Sequence, residues 1–346
     1  IRPYATMPSK LVSLFFLLLL SCGSAETKEP LISDQEAHEQ ALMEGLYLDL
    51  GGEPQYVEIL GQSEKNPVLL FIHGGPGWPQ TPQFRYYNLD IAKDFTVVLW
   101  EQRGAGQSYL NNPQPENLSL AQIVSDGHEL TQWLQKKFRT KKIYLAGYSW
   151  GSIVGTILAD KYPDDYLAYI GIAQLINMDK GMALSRNWLT VQAKRAGKRQ
   201  LQRSIDSLRN PANYPDQLSR FYRQYQLLNE FNGAIFNKLS EARTQRAMNK
   251  YSDYQGYDWL EVWSASASAL QEDMFGINLS KVDSLDVPVY LLQGRHDWNI
   301  PSVLAAEWLD KLSAPTKQLV WFEKSGHGPL EEEPEEFNAA IRALLE

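Results

Sequence analysis

The sequence predicts an α/β fold with a mostly parallel central sheet, helices on both faces and a helical domain inserted after the sixth strand. Short apolar runs rich in β-branched residues, such as residues 68–72, alternate with segments of helical spacing, such as residues 120–138. Residues 147–151 read Gly-Tyr-Ser-Trp-Gly and stand between an apolar run and a helical pattern. Residues 177–279 lack strand patterns. Alternating strands and helices are typical of a parallel sheet, so the strandless stretch is the candidate insertion.

Length and composition exclude several classes of protein. The 346 residues suffice for one large domain with an insertion, and the net charge of −8 argues against nucleic-acid binding, which needs a basic face. A single cysteine excludes both a disulfide within the chain and a cysteine-based zinc site, and no histidine spacing suggests another metal site. We divide the chain into a signal with its upstream residues (1–25), a tether or leading helix (26–45), the first part of the α/β core (46–176), a helical cap (177–280) and the second part of the core (281–346).

The first 25 residues are typical of an export signal. Lys10 precedes an apolar run over residues 11–20, which fits the core of a signal peptide but is short for a membrane span. Residues 19–22 read Leu-Leu-Ser-Cys and resemble a bacterial lipobox, which implies lipidation of Cys22 and a membrane anchor. The alternative is ordinary cleavage after residues 23–25, which gives a soluble periplasmic or secreted protein. Both alternatives predict an exported protein.

The first strands of the core lead into a glycine-rich loop. Residues 46–60 alternate and are interrupted by two glycines, which predicts a hairpin, and residues 68–72 form a buried strand. That strand runs into His73-Gly74-Gly75-Pro76-Gly77. A loop after this strand is where such a fold places a donor for an oxyanion, so we expect the amide of Gly75, or less favourably Gly74, to take this role. A plain turn is the alternative.

Residues 147–151 match the Gly-x-Ser-x-Gly nucleophile elbow. The chain must turn from strand to helix within a few residues, so Ser149 would sit at the tip in a strained conformation. A side chain at Gly147 or Gly151 would collide with the neighbouring strand or helix. The helix that follows begins at Trp150, whose amide is free to bind an oxyanion.

Two later strands end in residues that complete a triad. Residues 287–294 form a buried strand followed by Asp297, and residues 317–322 form the last strand, followed by His327 in a loop with glycines on both sides. Catalytic groups gather at the carboxyl edge of such sheets, and the order serine, acid, histidine is that of this architecture. Of the five histidines only His327 has this setting, and we assign His128, within a helix, no catalytic role.

Three motifs together carry a family resemblance. They are His-Gly-Gly-Pro-Gly at residues 73–77, a Trp-Glu-Gln-Arg-Gly-x-Gly-x-Ser segment at residues 100–108 and Gly-x-Ser-Trp-Gly-Ser at residues 147–152. In combination they resemble the proline iminopeptidase-like branch (peptidase S33) of the α/β-hydrolases. The resemblance implies an α/β-hydrolase fold, a cap that covers the serine and sets substrate choice, and a structural role for Arg103 beneath the site.

The cap departs from the family pattern at one place. Proline iminopeptidases resemble one another in a Trp-x-x-Trp-Glu motif, whose glutamate pairs with the free α-amino group of the substrate. Here Trp263 matches the second tryptophan, and Ser264 stands in place of the glutamate. Glu261, one helical turn earlier, and Glu272, with its neighbour Asp273, are the alternative anions.

The combined hypothesis is a serine hydrolase that acts through an acyl-enzyme without a cofactor. The resemblance favours an aminopeptidase that releases N-terminal residues from short peptides. A carboxylesterase or lactonase acting on small esters uses the same chemistry, and a non-catalytic lipoprotein that binds a ligand in the pocket is the remote alternative.

Overall fold

A mixed sheet of eight strands forms the centre of the protein, in the order β1-β2-β4-β3-β5-β6-β7-β8. The computed structural model describes residues 42–345. The signal, Cys22 and most of the tether predicted from the sequence lie outside these residues. The strands are β1 (Leu42–Leu50), β2 (Glu53–Gly61), β3 (Val68–Ile72), β4 (Thr96–Glu101), β5 (Ile143–Tyr148), β6 (Tyr166–Ile172), β7 (Val289–Gly294) and β8 (Lys317–Phe322).

Only the first edge of the sheet is antiparallel. β1 and β2 form the predicted hairpin around the two glycines, and β2 pairs antiparallel with β4. All remaining pairs, from β4–β3 to β7–β8, are parallel. The strands in the middle of the sheet are buried on both faces, which explains their continuous apolar sequence.

Helices cover both faces of the sheet. They are α1 (Thr81–Tyr87), α2 (Gly106–Asn111), α3 (Leu120–Lys137), α4 (Trp150–Lys161), α5 (Met178–Arg195), α6 (Arg199–Ser207), α7 (Gln217–Asn229), α8 (Lys238–Lys250), α9 (Trp259–Ala269), α10 (Gln271–Gly276), α11 (Ser302–Lys311), α12 (Pro329–Glu332) and α13 (Pro334–Arg342). One apolar layer contains Leu130 of α3, Ile153 of α4 and Leu304 of α11. The other contains Phe84 of α1 and Phe337 of α13. The predicted α/β fold is confirmed.

Six helices, α5 to α10, lie between β6 and β7 and form the cap. The described chain has no strand between Ile172 and Val289, as the sequence predicted. Part of the cap has an apolar core of its own, which includes Leu189, Ile205 and Leu227. None of the helices in residues 42–345 combines the length and apolar character needed to cross a membrane.

Candidate active site

Ser149 occupies the strained turn between β5 and α4. Its backbone has φ +52° and ψ −115°, outside the usual regions for a residue with a side chain. A Cβ on Gly147 would lie 2.4 Å from the carbonyl oxygen of Gly151, and one on Gly151 would lie 2.2 Å from that of Ile72. Both glycines are therefore required by close backbone contact, which is the reason the sequence suggested. The buried strand before Ser149 and the buried helix after it keep the residue in this strained conformation.

Ser149, His327 and Asp297 meet in one hydrogen-bonded chain. Nε2 of His327 lies 2.9 Å from Oγ of Ser149, and Nδ1 lies 2.7 Å from Oδ2 of Asp297. The three residues follow β5, β8 and β7, so they meet at the carboxyl edge of the sheet. In this arrangement one nitrogen of the imidazole can accept the serine proton while the other donates to the carboxylate.

Asp297 is held in place by its own loop. Its side chain is fully buried, and Oδ1 accepts hydrogen bonds from the amides of Asn299, at 2.8 Å, and Ile300, at 2.9 Å. Oδ2 remains for His327. Burial by itself lowers the pKa of His327, but the charge and hydrogen bond of Asp297, with smaller effects of Glu332 and Glu331, outweigh it and raise the pKa above its ordinary value. The imidazole is thus a stronger base than a free histidine.

The loop that carries His327 is fastened to the cap through Glu332. One oxygen of this carboxylate accepts from the amides of Gly326 and Gly328, on either side of the histidine. The other accepts from the amides of Phe236 and Asn237 in the cap. Glu332 therefore fixes the histidine loop and the cap to each other, and its four donors explain why a buried carboxylate is tolerated here.

The two glycines predicted to offer an oxyanion donor, Gly74 and Gly75, differ in what the structure leaves available. The amide of Gly74 donates to Oε1 of Gln80 at 2.7 Å, so the prediction that Gly74 could bind an oxyanion is wrong. Gly75 lines the cavity beside Ser149. Trp150 also lines it and is the first residue of α4, so its amide has no acceptor within the helix.

Gln102, which the sequence analysis did not single out, ties these loops together. Its side-chain nitrogen donates to the carbonyl of His73, and its oxygen accepts from the indole of Trp150. The buried His73 in turn accepts from the Gln102 amide, and burial lowers the pKa of its imidazole to about 4. His73 is therefore neutral and structural.

A cavity of about 380 Å³ opens above Ser149, between the sheet and the cap. This volume is within the usual range for a small-ligand pocket. Its walls are mostly apolar and include these aromatic and methionine side chains: Trp78, Tyr148, Trp150, Phe221, Tyr222, Tyr225, Trp263, Met178, Met248 and Met274. The Tyr148 ring, at a variable position of the elbow motif, lies 5.4 Å from the ring of His327.

Of the four cap residues predicted to contact substrate, Trp263 alone lines this cavity. Glu261 is exposed in the first turn of α9, where its amide donates to the capping carboxylate of Asp258. Glu272 is exposed in the first turn of α10, and Ser264 does not line the cavity. The structure thus places Glu261, Glu272 and Ser264 off the cavity wall, because the rotation of a helix about its axis depends on packing that the local sequence does not specify.

The other candidates lie away from the site. Asp273 accepts from the amide of Leu120 and holds the start of α3. His128 stacks on Tyr162, and His296 stacks on Phe236. Residues 42–345 contain no group of three histidine, cysteine or acidic side chains that could hold a metal ion.

An eight-stranded sheet in this order, with a serine at a strand-to-helix elbow beside a histidine and an aspartate, defines the α/β-hydrolase class. The family profile for the alpha/beta hydrolase fold matches residues 67–334. The chain therefore belongs to the alpha/beta hydrolase family, and it is a hydrolase enzyme.

Several known proteins are similar over most of the chain. A Bacillus subtilis protein named "Probable aminopeptidase YbaC" is 32% identical over 296 residues, which cover 84% of this chain and 92% of that protein. Proline iminopeptidase of Lactobacillus helveticus is 23% identical over 85% of this chain and 95% of its own length. The crystal structure of a proline iminopeptidase-related protein from Thermus thermophilus has a TM-score of 0.62 at 21% identity, covering 88% of this chain and 97% of that one, a likeness that concerns the fold.

Proposed function

We propose that this protein is a serine hydrolase in which Ser149 is the nucleophile, His327 the general base and Asp297 the acid that orients the imidazole. The observation that carries the proposal is the continuous hydrogen-bonded chain from the hydroxyl of Ser149 to the buried carboxylate of Asp297. Nε2 of His327 takes the hydroxyl proton as Oγ attacks a substrate carbonyl, and Asp297 stabilises the imidazolium that forms.

The amides of Trp150 and Gly75 receive the developing oxyanion. Loss of one such donor typically costs about a hundred- to a thousandfold in turnover. As the tetrahedral intermediate collapses, the carbonyl carbon–nitrogen or carbon–oxygen bond breaks, and the leaving group takes the proton from Nε2. Water then attacks the acyl-enzyme, its proton passes to His327, and Ser149 is released with its own proton restored.

The proposed substrates are short peptides from which the N-terminal residue is removed. Support comes from the aminopeptidase and proline iminopeptidase names of the relatives, which align over most of this chain. The cavity volume of about 380 Å³ suits one or two residues rather than a folded protein. The largely apolar walls favour a second candidate, a carboxylesterase or lactonase for small esters.

A labelling and turnover experiment tests both levels of this proposal. A fluorophosphonate probe should label the wild-type protein at Ser149 and fail to label Ser149→Ala, as shown by peptide mass spectrometry. Turnover of proline β-naphthylamide supports the aminopeptidase, whereas fast turnover of p-nitrophenyl acetate without any amide turnover favours the esterase. Absence of an adduct on folded protein would contradict the serine mechanism and revive the non-catalytic binding protein.

We further propose that the chain is exported and anchored by lipid at Cys22, on the basis of the apolar run and the lipobox-like residues 19–22. Expression in a bacterium fed with alkyne-labelled palmitate should give a labelled, membrane-associated protein, and Cys22→Ser should abolish the label. Label retained in Cys22→Ser would contradict lipidation at this cysteine.

A further inference from the structure

Three glutamates line the cavity, and they differ in how far their charge is satisfied. Glu332 accepts four backbone hydrogen bonds. The side chain of Glu241 is 55% exposed and lies 3.8 Å from the ammonium of Lys238. Glu331 accepts one hydrogen bond, from Oγ1 of Thr244 at 2.9 Å, and forms no ion pair with any lysine or arginine of residues 42–345. Within the described part of the chain, Glu331 thus differs from the other two in having neither an ion-pair partner nor a full set of hydrogen-bond donors.

The surroundings of Glu331 favour binding of a cation. Burial raises the pKa of its carboxyl to about 7, while the Thr244 hydrogen bond and the His327 charge lower it. An ionised carboxylate can accept about four hydrogen bonds, and here one is made by the protein. A charge-assisted hydrogen bond from an ammonium group would stabilise the ionised form in a cavity whose walls are mostly apolar.

The position of Glu331 relates this charge to the reaction. It stands on α12, four residues after His327, and the two side chains are close enough for each charge to shift the pKa of the other. Its partner Thr244 belongs to α8 of the cap, so the carboxylate lies where the cap meets the core. A cation bound there would share one cavity with Ser149.

We infer that Glu331 binds the free α-ammonium group of the substrate and thereby selects peptides with an unblocked N-terminus. The inference rests on the proposed aminopeptidase function. It places the carboxylate that binds the ammonium group in the core, on α12 just after His327, whereas the sequence analysis placed it in the cap. Glu261 and Glu272, the sequence candidates, are exposed outside the cavity.

A structural role for Glu331, as a simple link between α12 and α8, makes a different prediction. Glu331→Gln keeps a carbonyl oxygen that can accept from Thr244, so the link survives while the charge is lost. Glu261→Gln removes one carboxylate from the surface of the cap and serves as the matched control.

Binding measured without turnover separates this inference from the proposed function. Calorimetric titration of the Ser149→Ala protein with the tripeptide Pro-Ala-Ala and with its N-acetyl form should show at least about tenfold tighter binding of the free amine. Adding Glu331→Gln should abolish this preference, and adding Glu261→Gln should leave it unchanged. Circular dichroism and the thermal midpoint verify that each variant is folded.

The inference is overturned if Ser149→Ala binds both peptides equally or not at all, or if the preference persists in the Glu331→Gln variant. Equal weakening of both peptides by Glu331→Gln would indicate the structural link. Failure of the proposed function is a different result: preferential binding of the free amine without a fluorophosphonate adduct in the wild-type protein contradicts the hydrolytic mechanism and leaves the role of Glu331 intact.

Discussion

The floor and the roof of the cavity are built on different principles. The floor consists of Ser149, Asp297 and His327, which lie in the turns and loops that follow β5, β7 and β8 at the carboxyl edge of the sheet. The roof consists of side chains from α5 and from α7 to α10 of the cap, such as Trp263. A residue of the floor is positioned by its own backbone, whereas a residue of the roof is positioned by how one helix packs on another. We therefore expect substitutions in the floor to change the rate of reaction and substitutions in the roof to change the choice of substrate.

The largest expected effect concerns the floor. Ser149→Ala should reduce kcat by at least about 10⁴-fold, because the remaining residues offer no comparable nucleophile. Turnover of the preferred ester or amide measures this loss, and circular dichroism shows that the fold is retained. A roof substitution that removed activity to the same extent without unfolding the protein would break the distinction between floor and roof.

The second prediction compares one glycine from each region. Gly151→Ala places a Cβ against the backbone of β3 and should destabilise the protein by at least about 1–3 kcal/mol and impair activity. Gly276→Ala, at the end of α10 in the cap, meets no atom within 4 Å and should be neutral. Denaturant midpoints measure both effects. Equal midpoints for the two variants would show that the elbow tolerates a side chain.

The floor could be predicted from sequence because steric demands leave a local signature. The backbone contacts at Gly147 and Gly151 require glycine, so the elbow can be recognised from five residues. Strand order then places Asp297 and His327 at the same edge of the sheet. The exception is Gly74, whose amide is taken by Gln80 six residues later, an interaction that no motif indicates.

The roof could be predicted only as a helical cap. Glu261 lies in the first turn of α9, where it is exposed. This placement depends on the position of the capping residue Asp258, whose carboxylate accepts from the Glu261 amide. Glu331, for which we propose a role in binding an ammonium group, carries no signal in the sequence, because three successive glutamates before a proline resemble the solvated start of a helix. In the structure Glu332 accepts backbone amides and Glu333 accepts from Lys324 and Ser325, so each glutamate has different partners.

The third prediction concerns how activity depends on pH through His327, one residue of the floor. Because the net effect of Asp297 and burial raises the pKa of His327 above its ordinary 6.5, more of the imidazole is protonated at any given acidic pH. In the proposed mechanism the neutral form is the base, so kcat/KM for p-nitrophenyl acetate should fall about tenfold per pH unit below a midpoint higher than 6.5. A midpoint below 6.5 would contradict a histidine that is stabilised in its charged form by Asp297.

The smallest expected effect is a difference of about 1 kcal/mol between two pH values, at a contact where the cap joins the core. Tyr254 of the cap donates a hydrogen bond to the buried carboxyl of Glu101 at the end of β4, which also accepts from Thr81. Burial raises the pKa of Glu101 to about 7, against the lowering effect of these donors. A folded-state pKa above the ordinary value of 4.5 means that the folded protein holds this proton more tightly, so the contribution of Glu101 to stability falls as pH rises from about 4.5 to 7.

Tyr254→Phe removes a hydrogen-bond donor to Glu101, and this loss costs more when the carboxyl of Glu101 is ionised than when it is neutral. The free energy of unfolding should drop by about 0.5–1.5 kcal/mol at pH 6, where Glu101 is mostly neutral, and by about 1.5–3 kcal/mol at pH 8, where it is charged. Urea unfolding at both pH values measures the difference. Tyr257→Phe is the matched control, because the Tyr257 hydroxyl accepts from the neutral amide of Gly106 and its loss should cost the same at both pH values. An equal cost for Tyr254→Phe at pH 6 and pH 8 would mean that Glu101 does not change its charge in this range, and that the joint between roof and floor is insensitive to pH.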